Sequence, residues 1–383
     1  MLLLFWVNLK LSIFGCHHLI LVQLFPHTSF FTRQLLEWYE PGRRPTPWKG
    51  EQDPYRIWLS EVILQQTRVE QGWPYFEAFT TAYPTVHHLA AAPDDEVMKK
   101  WEGLGYYNRA RNMLAAARYI SDVRGGQFPD SYEDILGLKG VGPYTAAAIA
   151  SFAYDLPYAV VDGNVYRVLA RFFGIDQPTN TTTGKKLFFQ LAQTLLDEHQ
   201  PATYNQAIMD FGALICTPAS PRCAACPLEP HCKARQEDRI NQLPRKQPKA
   251  PRRIRFFHYF ILNQKGRVLL RKREQKDVWR GLYEFPLLES GEMLEEPQLL
   301  ECHPDWPFPV HWSPVEIAAL SPPRRQLLSH QDIRARFIEI QLPHSVEPSV
   351  MDGIWVDRDA LSDYAFPRII DWYLGDNSLY LNV

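Results

Sequence analysis

The sequence predicts a multidomain chain, an all-α domain followed by a smaller α+β domain. Three observations carry this. A length of 383 residues suffices for two separate cores. From Phe30 to about Cys232 apolar residues recur at helical spacing, and no strand pattern precedes residue 250. After a basic, proline-containing stretch the texture changes to alternating apolar runs around turns. The composition is that of a globular protein, and a net charge of −2 does not by itself announce a nucleic-acid partner.

Residues 1–29 form an unexplained apolar extension, broken by Asn8, Lys10, His17 and His18. A membrane span wants about twenty cleaner apolar residues, and a signal peptide wants a basic start and a small-residue cleavage site. The expected reading is a poorly ordered extension or an over-long start, with a membrane anchor as the alternative. Residues 30–232 carry the helices. Asp53 is a helix N-cap with Pro54 at the first helical position of "DPYRIWLSEVILQQT". "NRARNMLAAARYISDV" stops at Gly125-Gly126, and "DGNVYRVLARFF" and "ATYNQAIMDFGALIC" are further amphipathic helices. From Lys233 to Arg255 nine basic residues stand against two acids around three prolines, which reads as an extended basic linker unable to bury much apolar surface. Residues 256–383 form the acidic α+β domain. "FFHYFILNQKGRVLLRKRE" reads as a hairpin, "GLYEFPLLE", "RARFIEIQL" and "GIWVDRD" as strands, and "FPRIIDWYL" as a closing helix.

Four motifs carry chemistry. "LKGVGPYTAAAIA" places two glycines at the turn into a helix, where unpaired N–H groups and the positive end of the dipole suit a phosphate. A tight helix–helix turn capped by glycine is an equal reading. Cys216, Cys223, Cys226 and Cys232 follow the spacing C-x6-C-x2-C-x5-C, which favours a metal over disulfides. Zinc and an iron–sulfur cluster both take four cysteines. Glu61 lies within an apolar helical face, and Asp162 lies between an apolar run and a helix. The alternatives are a hydrogen-bonded buried glutamate and a plain N-cap aspartate. "WEGLGYYNRARN" offers an exposed-looking pair, Tyr106 and Tyr107, followed by Arg109 and Arg111, which suits insertion between bases; a helix start with core tyrosines is the alternative.

Together these motifs resemble the adenine-removing DNA glycosylases of the helix-hairpin-helix superfamily, the MutY family. The resemblance runs in order through "DPYRIWLSEVILQQTRVE", "WEGLGYYNRARN", "LKGVGPYTAAAIA", "VVDGNVYRVLAR", "YNQAIMDFGALIC" and the four cysteines. A weaker match covers the C-terminal part, which looks like the family's second, nucleotide-pyrophosphohydrolase-like (MutT/Nudix-like) domain.

The resemblance implies a monofunctional adenine glycosylase of base excision repair, hydrolysing the bond of an adenine mispaired with 8-oxoguanine or guanine after flipping it out. It implies one 4Fe–4S cluster on Cys216, Cys223, Cys226 and Cys232, and DNA-phosphate donors at Gly140, Val141 and Gly142. Glu61 would protonate N7, Asp162 would stabilise the sugar cation, and Asn164 would orient Asp162 or the water. Related endonuclease III-like enzymes carry a lysine at the position of Tyr144; a tyrosine cannot form a Schiff base, so the strand stays intact. Gln66 would wedge beside the oxidised guanine and Tyr106 intercalate there, while Leu64, Trp48 and Gln206 line or approach the base pocket. Leu328, Ser329 and His330 match a Phe-Ser-His loop that reads the partner base, with leucine in place of phenylalanine. The second domain lacks the Arg-Glu…Glu-Glu cluster that binds magnesium, so no phosphatase activity is expected. The implied partner is double-stranded DNA bearing the mismatch. The remaining expectations are no membrane, a monomer, and a cytoplasmic, bacterial-nucleoid location. The alternative is another glycosylase of the superfamily, acting on thymine mismatches or oxidised pyrimidines. A non-enzymatic lesion binder is a third reading.

Overall fold

The structure is a computed structural model that describes residues 25–46, 49–248, 250–301, 306–307, 317–344 and 351–377. Most of the apolar extension, Trp48, Cys16 and Cys302 therefore lie outside the described residues. The chain divides into two units, residues 1–90 with 115–248, and residues 91–114 with 249–383. Among the described residues no helix is long and apolar enough to cross a membrane.

The helices follow one another as α1 (Thr28–Trp38), α2 (Pro54–Leu64), α3 (Val69–Ala82), α4 (Val86–Ala91), α5 (Asp94–Trp101), α6 (Asn108–Val123), α7 (Tyr132–Leu136), α8 (Pro143–Tyr154), α9 (Gly163–Phe173), α10 (Thr182–Leu195), α11 (Pro201–Leu214) and α12 (Lys233–Gln236). Local chemistry starts several of them. The Asp53 carboxylate accepts from Tyr55 N–H at 2.9 Å, with Pro54 in the first turn of α2. Ser131 caps α7, Asp162 caps α9 and Thr181 caps α10, each accepting a backbone N–H. The first unit closes on a core of Phe31, Leu35, Val168, Leu169, Phe188, Leu191, Tyr204, Ile208 and Phe211, drawn from α1, α9, α10 and α11. Helix α11 comes close to the start of α9 because residue 212 is glycine. A Cβ there would lie 2.6 Å from the Asn164 Cβ.

The basic stretch is less extended than its composition predicts. Ala234 in α12 and Leu243 are buried in the first unit's core. Beyond them, Thr179 N–H donates to the Arg245 carbonyl at 3.0 Å, and Gln247 N–H to the Asn180 side chain at 2.8 Å. Backbone pairing at a distance, which charge counting does not reveal, ties the stretch down. Its last residues, from Arg253, already belong to a strand.

The second unit is built on an eight-stranded sheet: β1 (Arg253–Gln264), β2 (Arg267–Lys272), β3 (Tyr283–Glu284), β4 (Leu287–Ser290), β5 (Ile317–Leu320), β6 (Arg324–Leu327), β7 (Gln331–Gln341) and β8 (Ile354–Asp357). The hairpin β1–β2 turns at Lys265-Gly266, both at positive φ. Strands β1 and β7 pair in parallel over eleven positions, Arg253 opposite Gln331 to Asn263 opposite Gln341. Phe260, Leu262, Leu269, Ile338 and Ile340 form a core with Trp306. Helices α13 (Glu296–Glu301) and α14 (Arg368–Asn377) accompany the sheet, with Tyr373 of α14 stacked on Phe337 at 4.0 Å. Residues 91–114 group with this sheet through Lys99, which donates to the Tyr364 carbonyl at 3.0 Å, and Glu102, which accepts Phe366 N–H at 2.8 Å.

Candidate active site

One large cleft, about 1260 Å³, opens in the first unit. Glu61, Leu64, Gln66, Gly140, Gly142, Tyr144, Asp162, Asn164 and Gln206 all line it. These nine residues come from α2, the turn after it, the hairpin, α8, α9 and α11, so the fold gathers positions spread over 146 residues of sequence.

Glu61 enters from the last turns of α2 and is 7% exposed. Burial pushes its carboxyl up to about 7 from the usual 4.5, and the negative charge of Asp162 adds to this. A hydrogen bond from the Tyr144 hydroxyl works the other way. The same contact, with burial and both carboxylates, raises Tyr144 well above the ordinary phenol value, so the phenol stays protonated and donates. Asp162 is the N-cap residue directly before α9. Its Oδ1 accepts Val165 N–H at 2.8 Å, and its Oδ2 accepts Asn164 Nδ2 at 2.7 Å. Burial raises its carboxyl, while these donors and the Arg167 charge oppose the rise. Both oxygens accept, the pattern of an ionised carboxylate. The net direction for Asp162 is upward, so the cleft holds two buried carboxyls, of which Asp162 alone carries amide donors that favour its ionised form.

The turn before α8 differs in one donor from the sequence reading. Gly140 takes φ 80°, and Gly142 precedes Pro143 without a side-chain cap, as a phosphate cradle needs. The Val141 N–H, however, is already engaged with the Leu138 carbonyl at 3.1 Å, and its side chain is buried. Gln66 is exposed at the cleft with φ 59°, a left-handed backbone that costs a non-glycine residue about 1 kcal/mol. The tyrosine pair divides. Tyr106 is 48% exposed at φ 48°, with the Arg109 guanidinium 5.8 Å from its ring centre, while Tyr107 is only 7% exposed. Helix α6 begins directly after them, at Asn108, and the left-handed backbone at Tyr106 leaves the second ring turned inward, so the expectation of two exposed tyrosines holds for Tyr106 alone. Tyr106 belongs to the second unit, as do Leu328, Ser329 and His330. Those three form the tight turn between β6 and β7. The Arg252 guanidinium holds the Leu328 carbonyl at 2.8 Å, and Arg253 N–H the His330 carbonyl at 3.1 Å. Ser329 and His330 are exposed and hydrogen-bonded to each other at 3.0 Å.

Sequence reasoning missed several residues around the cleft. Asp210 is buried and paired with Lys49 and Arg44. Arg167 donates to Asn164 Oδ1 at 2.8 Å and to the carbonyls of Gly212 and Cys216. Arg171 donates to the carbonyls of Thr217, Pro218, Ile240 and Leu243 and to the Cys216 sulfur at 3.5 Å. Only helical spacing on α9 hinted at the two arginines; nothing local marked Asp210.

Cys216, Cys223, Cys226 and Cys232 line one small cavity. Among the described residues no three His, Cys, Asp or Glu are grouped to hold a single metal ion. Burial pushes Cys226 to about 12 and Cys232 to about 11, with the neighbouring thiols adding to both, and Cys216 rises for the same first reason. Neighbouring thiols held up by burial ionise together only around a positive group that neutralises them.

Comparison with known proteins follows the same division. Residues 59–190 match the HhH-GPD superfamily of base excision DNA repair proteins, and residues 258–374 match the NUDIX domain. The adenine DNA glycosylase of Buchnera aphidicola subsp. Baizongia pistaciae is 36% identical over 261 residues, 68% of this chain and 74% of that protein. The human adenine DNA glycosylase is 34% identical over 336 residues, 73% of this chain and 62% of that one. Among solved structures, a thermostable thymine-DNA glycosylase aligns with a TM-score of 0.51 at 31% identity, covering 55% of this chain and 97% of its own. Two carboxyls in one helical cleft, a NUDIX match later in the sequence and this degree of identity lead to one conclusion: the chain belongs to the adenine DNA glycosylase family, enzymes that hydrolyse N-glycosyl bonds in base excision repair.

Proposed function

We propose that the chain excises adenine paired with 8-oxoguanine, or with guanine, from double-stranded DNA by hydrolysis alone. The observation that carries this is the shared cleft of Glu61 and Asp162, with Tyr144 hydrogen-bonded to the glutamate. An adenine leaving as an anion is a poor leaving group. Glu61, protonated near neutrality, gives its proton to N7 of the everted base, and the C1′–N9 electrons depart with a neutral adenine. Asp162, ionised and steadied by Asn164, faces the cation left on the sugar until water adds at C1′ and yields its proton to the Glu61 carboxylate, which restores the acid. Each role is worth about 2–4 kcal/mol of barrier. Tyr144 orients the Glu61 carboxyl by donating to it and offers no amine for a Schiff base, so the strand is not cut.

The remaining roles complete the reading. Gly140 and Gly142 offer backbone N–H groups to a phosphate at the start of α8. The strained, exposed Gln66 and the exposed Tyr106 suit insertion into the space the adenine vacates. Leu64 and Gln206 face the everted base. The Leu328–His330 turn reads the partner base, its serine and histidine supplying polar contacts and its leucine an apolar wedge. The four cysteines would hold a 4Fe–4S cluster. Their shared cavity and the mutual repulsion of neighbouring thiolates support this over four free thiols.

Alkali treatment after incubation with three duplexes tests the proposal: adenine opposite 8-oxoguanine, adenine opposite cytosine, and thymine opposite guanine. Breaks are expected in the first. Breaks confined to the third would hand the cleft to thymine, as in the similar solved structure. Nearly half of this chain has no counterpart in that structure, and the extra length suits an enzyme that must read a partner base. Ser329→Ala with His330→Ala should narrow the preference for 8-oxoguanine over guanine, and an unchanged preference removes the turn from the mechanism.

A further inference from the structure

We infer that Asp210 is a positioning residue that fixes the polarity of the Gln206 amide. The cleft thereby offers a hydrogen-bond acceptor to the six-position of the everted base and selects an amino group there over a carbonyl. The inference rests on the reading above that the everted base enters this cleft.

Asp210 and Gln206 lie one turn apart on the same face of α11. The Asp210 side chain is only 1% exposed. Its Oδ2 takes Lys49 Nζ at 2.6 Å, and its Oδ1 takes Arg44 Nη1 at 3.3 Å. A carboxylate held between two cations accepts hydrogen bonds and has none to donate. The Gln206 amide, 2.9 Å from Oδ1, must therefore present its nitrogen to Asp210. Reversal would set a carbonyl oxygen against a buried carboxylate, two acceptors with no proton between them. The amide oxygen is thus committed to the opposite side, and Gln206 lines the cleft.

Adenine carries an amino donor at the six-position beside an acceptor at N1. Hypoxanthine and guanine carry a carbonyl there beside an N–H, the reverse pattern, and thymine likewise presents a carbonyl. A fixed acceptor therefore pairs with adenine and repels the others. The guanine-type base on the opposite strand is one of those rejected, so the lock also protects the partner strand. An unanchored glutamine would satisfy either pattern by turning its amide over.

The test compares wild type and Asp210→Asn in single-turnover excision of adenine and of hypoxanthine opposite the same partner base. An asparagine amide can donate or accept, so it frees Gln206 to turn. The adenine-to-hypoxanthine rate ratio should fall in the variant by on the order of tenfold to a hundredfold, the discrimination carried by one well-formed base contact. An equal loss on both substrates, or an unmoved ratio, overturns the inference. Should the variant be unfolded or inactive, wild-type binding to duplexes with uncleavable 2′-fluoro analogues decides the matter. Adenine should bind best, purine with hydrogen at the six-position next, and hypoxanthine worst; hypoxanthine binding as well as purine overturns it. A wild type that excises adenine from no duplex defeats the functional reading itself, whereas adenine excision with an unmoved ratio defeats only the role of Asp210.

Discussion

Glu61→Gln separates the acid from the scaffold, and its effect on stability follows from the burial of one carboxyl. In the folded protein Glu61 holds its proton to about pH 7, against 4.5 for an ordinary glutamate. A raised carboxyl means that the folded state binds more protons than the unfolded one between those limits. Stability from this source is complete below the lower value and is lost as pH rises through the upper one. At about 1.36 kcal/mol per pH unit the full loss is about 3 kcal/mol, of which about 2 kcal/mol falls between about pH 5.5 and about pH 8.5. Glutamine cannot ionise and escapes it. Urea unfolding of both proteins at the two pH values should show the variant gaining on wild type by about that amount at the higher pH, while titrating groups that do not interact with Glu61 cancel in the comparison. Excision by the variant should fall by about two to four orders of magnitude, the range for a lost general acid, with mismatch binding retained. A stability difference that does not change with pH would mean that Glu61 ionises normally in the fold, and the assignment of the proton donor would fail with it.

Asp162→Asn keeps a capping oxygen for Val165 N–H, so it should cost less than about 1 kcal/mol of stability while excision drops by about two to three orders of magnitude, measured by unfolding and single-turnover rate. Tyr144→Phe removes a hydrogen bond that lowers the Glu61 value. The fall in excision rate on the alkaline side should then move to higher pH, seen in a pH–rate profile. Tyr144→Lys should gain strand cleavage through a Schiff base that borohydride traps; no trapped adduct would remove the position from reach of the sugar. Cys226→Ser should bleach the brown colour expected of an iron–sulfur protein, and a colourless wild type would refute the cluster.

The legible parts of this molecule are those whose causes are local. Asp53-Pro54 marks the start of α2, glycine marks the hairpin before α8, and the closely spaced cysteines mark a shared cavity, each within a few residues of chain. Glu61 could be singled out because an acid within an apolar helical face is costly without a purpose. The parallel pairing of β1 with β7 joins residues 78 apart, from Arg253 opposite Gln331, and has no sequence signature. Asp210 meets Lys49 across 161 residues and looks, on α11, like any helical aspartate. Tyr106 and Tyr107 show the limit at short range, because which ring faces outward depends on where α6 begins and on one left-handed residue.

Helix α9 has a different task at each end. Asp162 caps its first turn, and Arg171, near its last, grips the Thr217 carbonyl within the cysteine loop and the Leu243 carbonyl beyond it. Eleven residues make a rod about 16 Å long, too short to bend without breaking its own ladder. One short helix thus carries the capped carboxylate of the cleft at its start and the anchor of the cysteine loop near its end, so the two regions share a single rigid support.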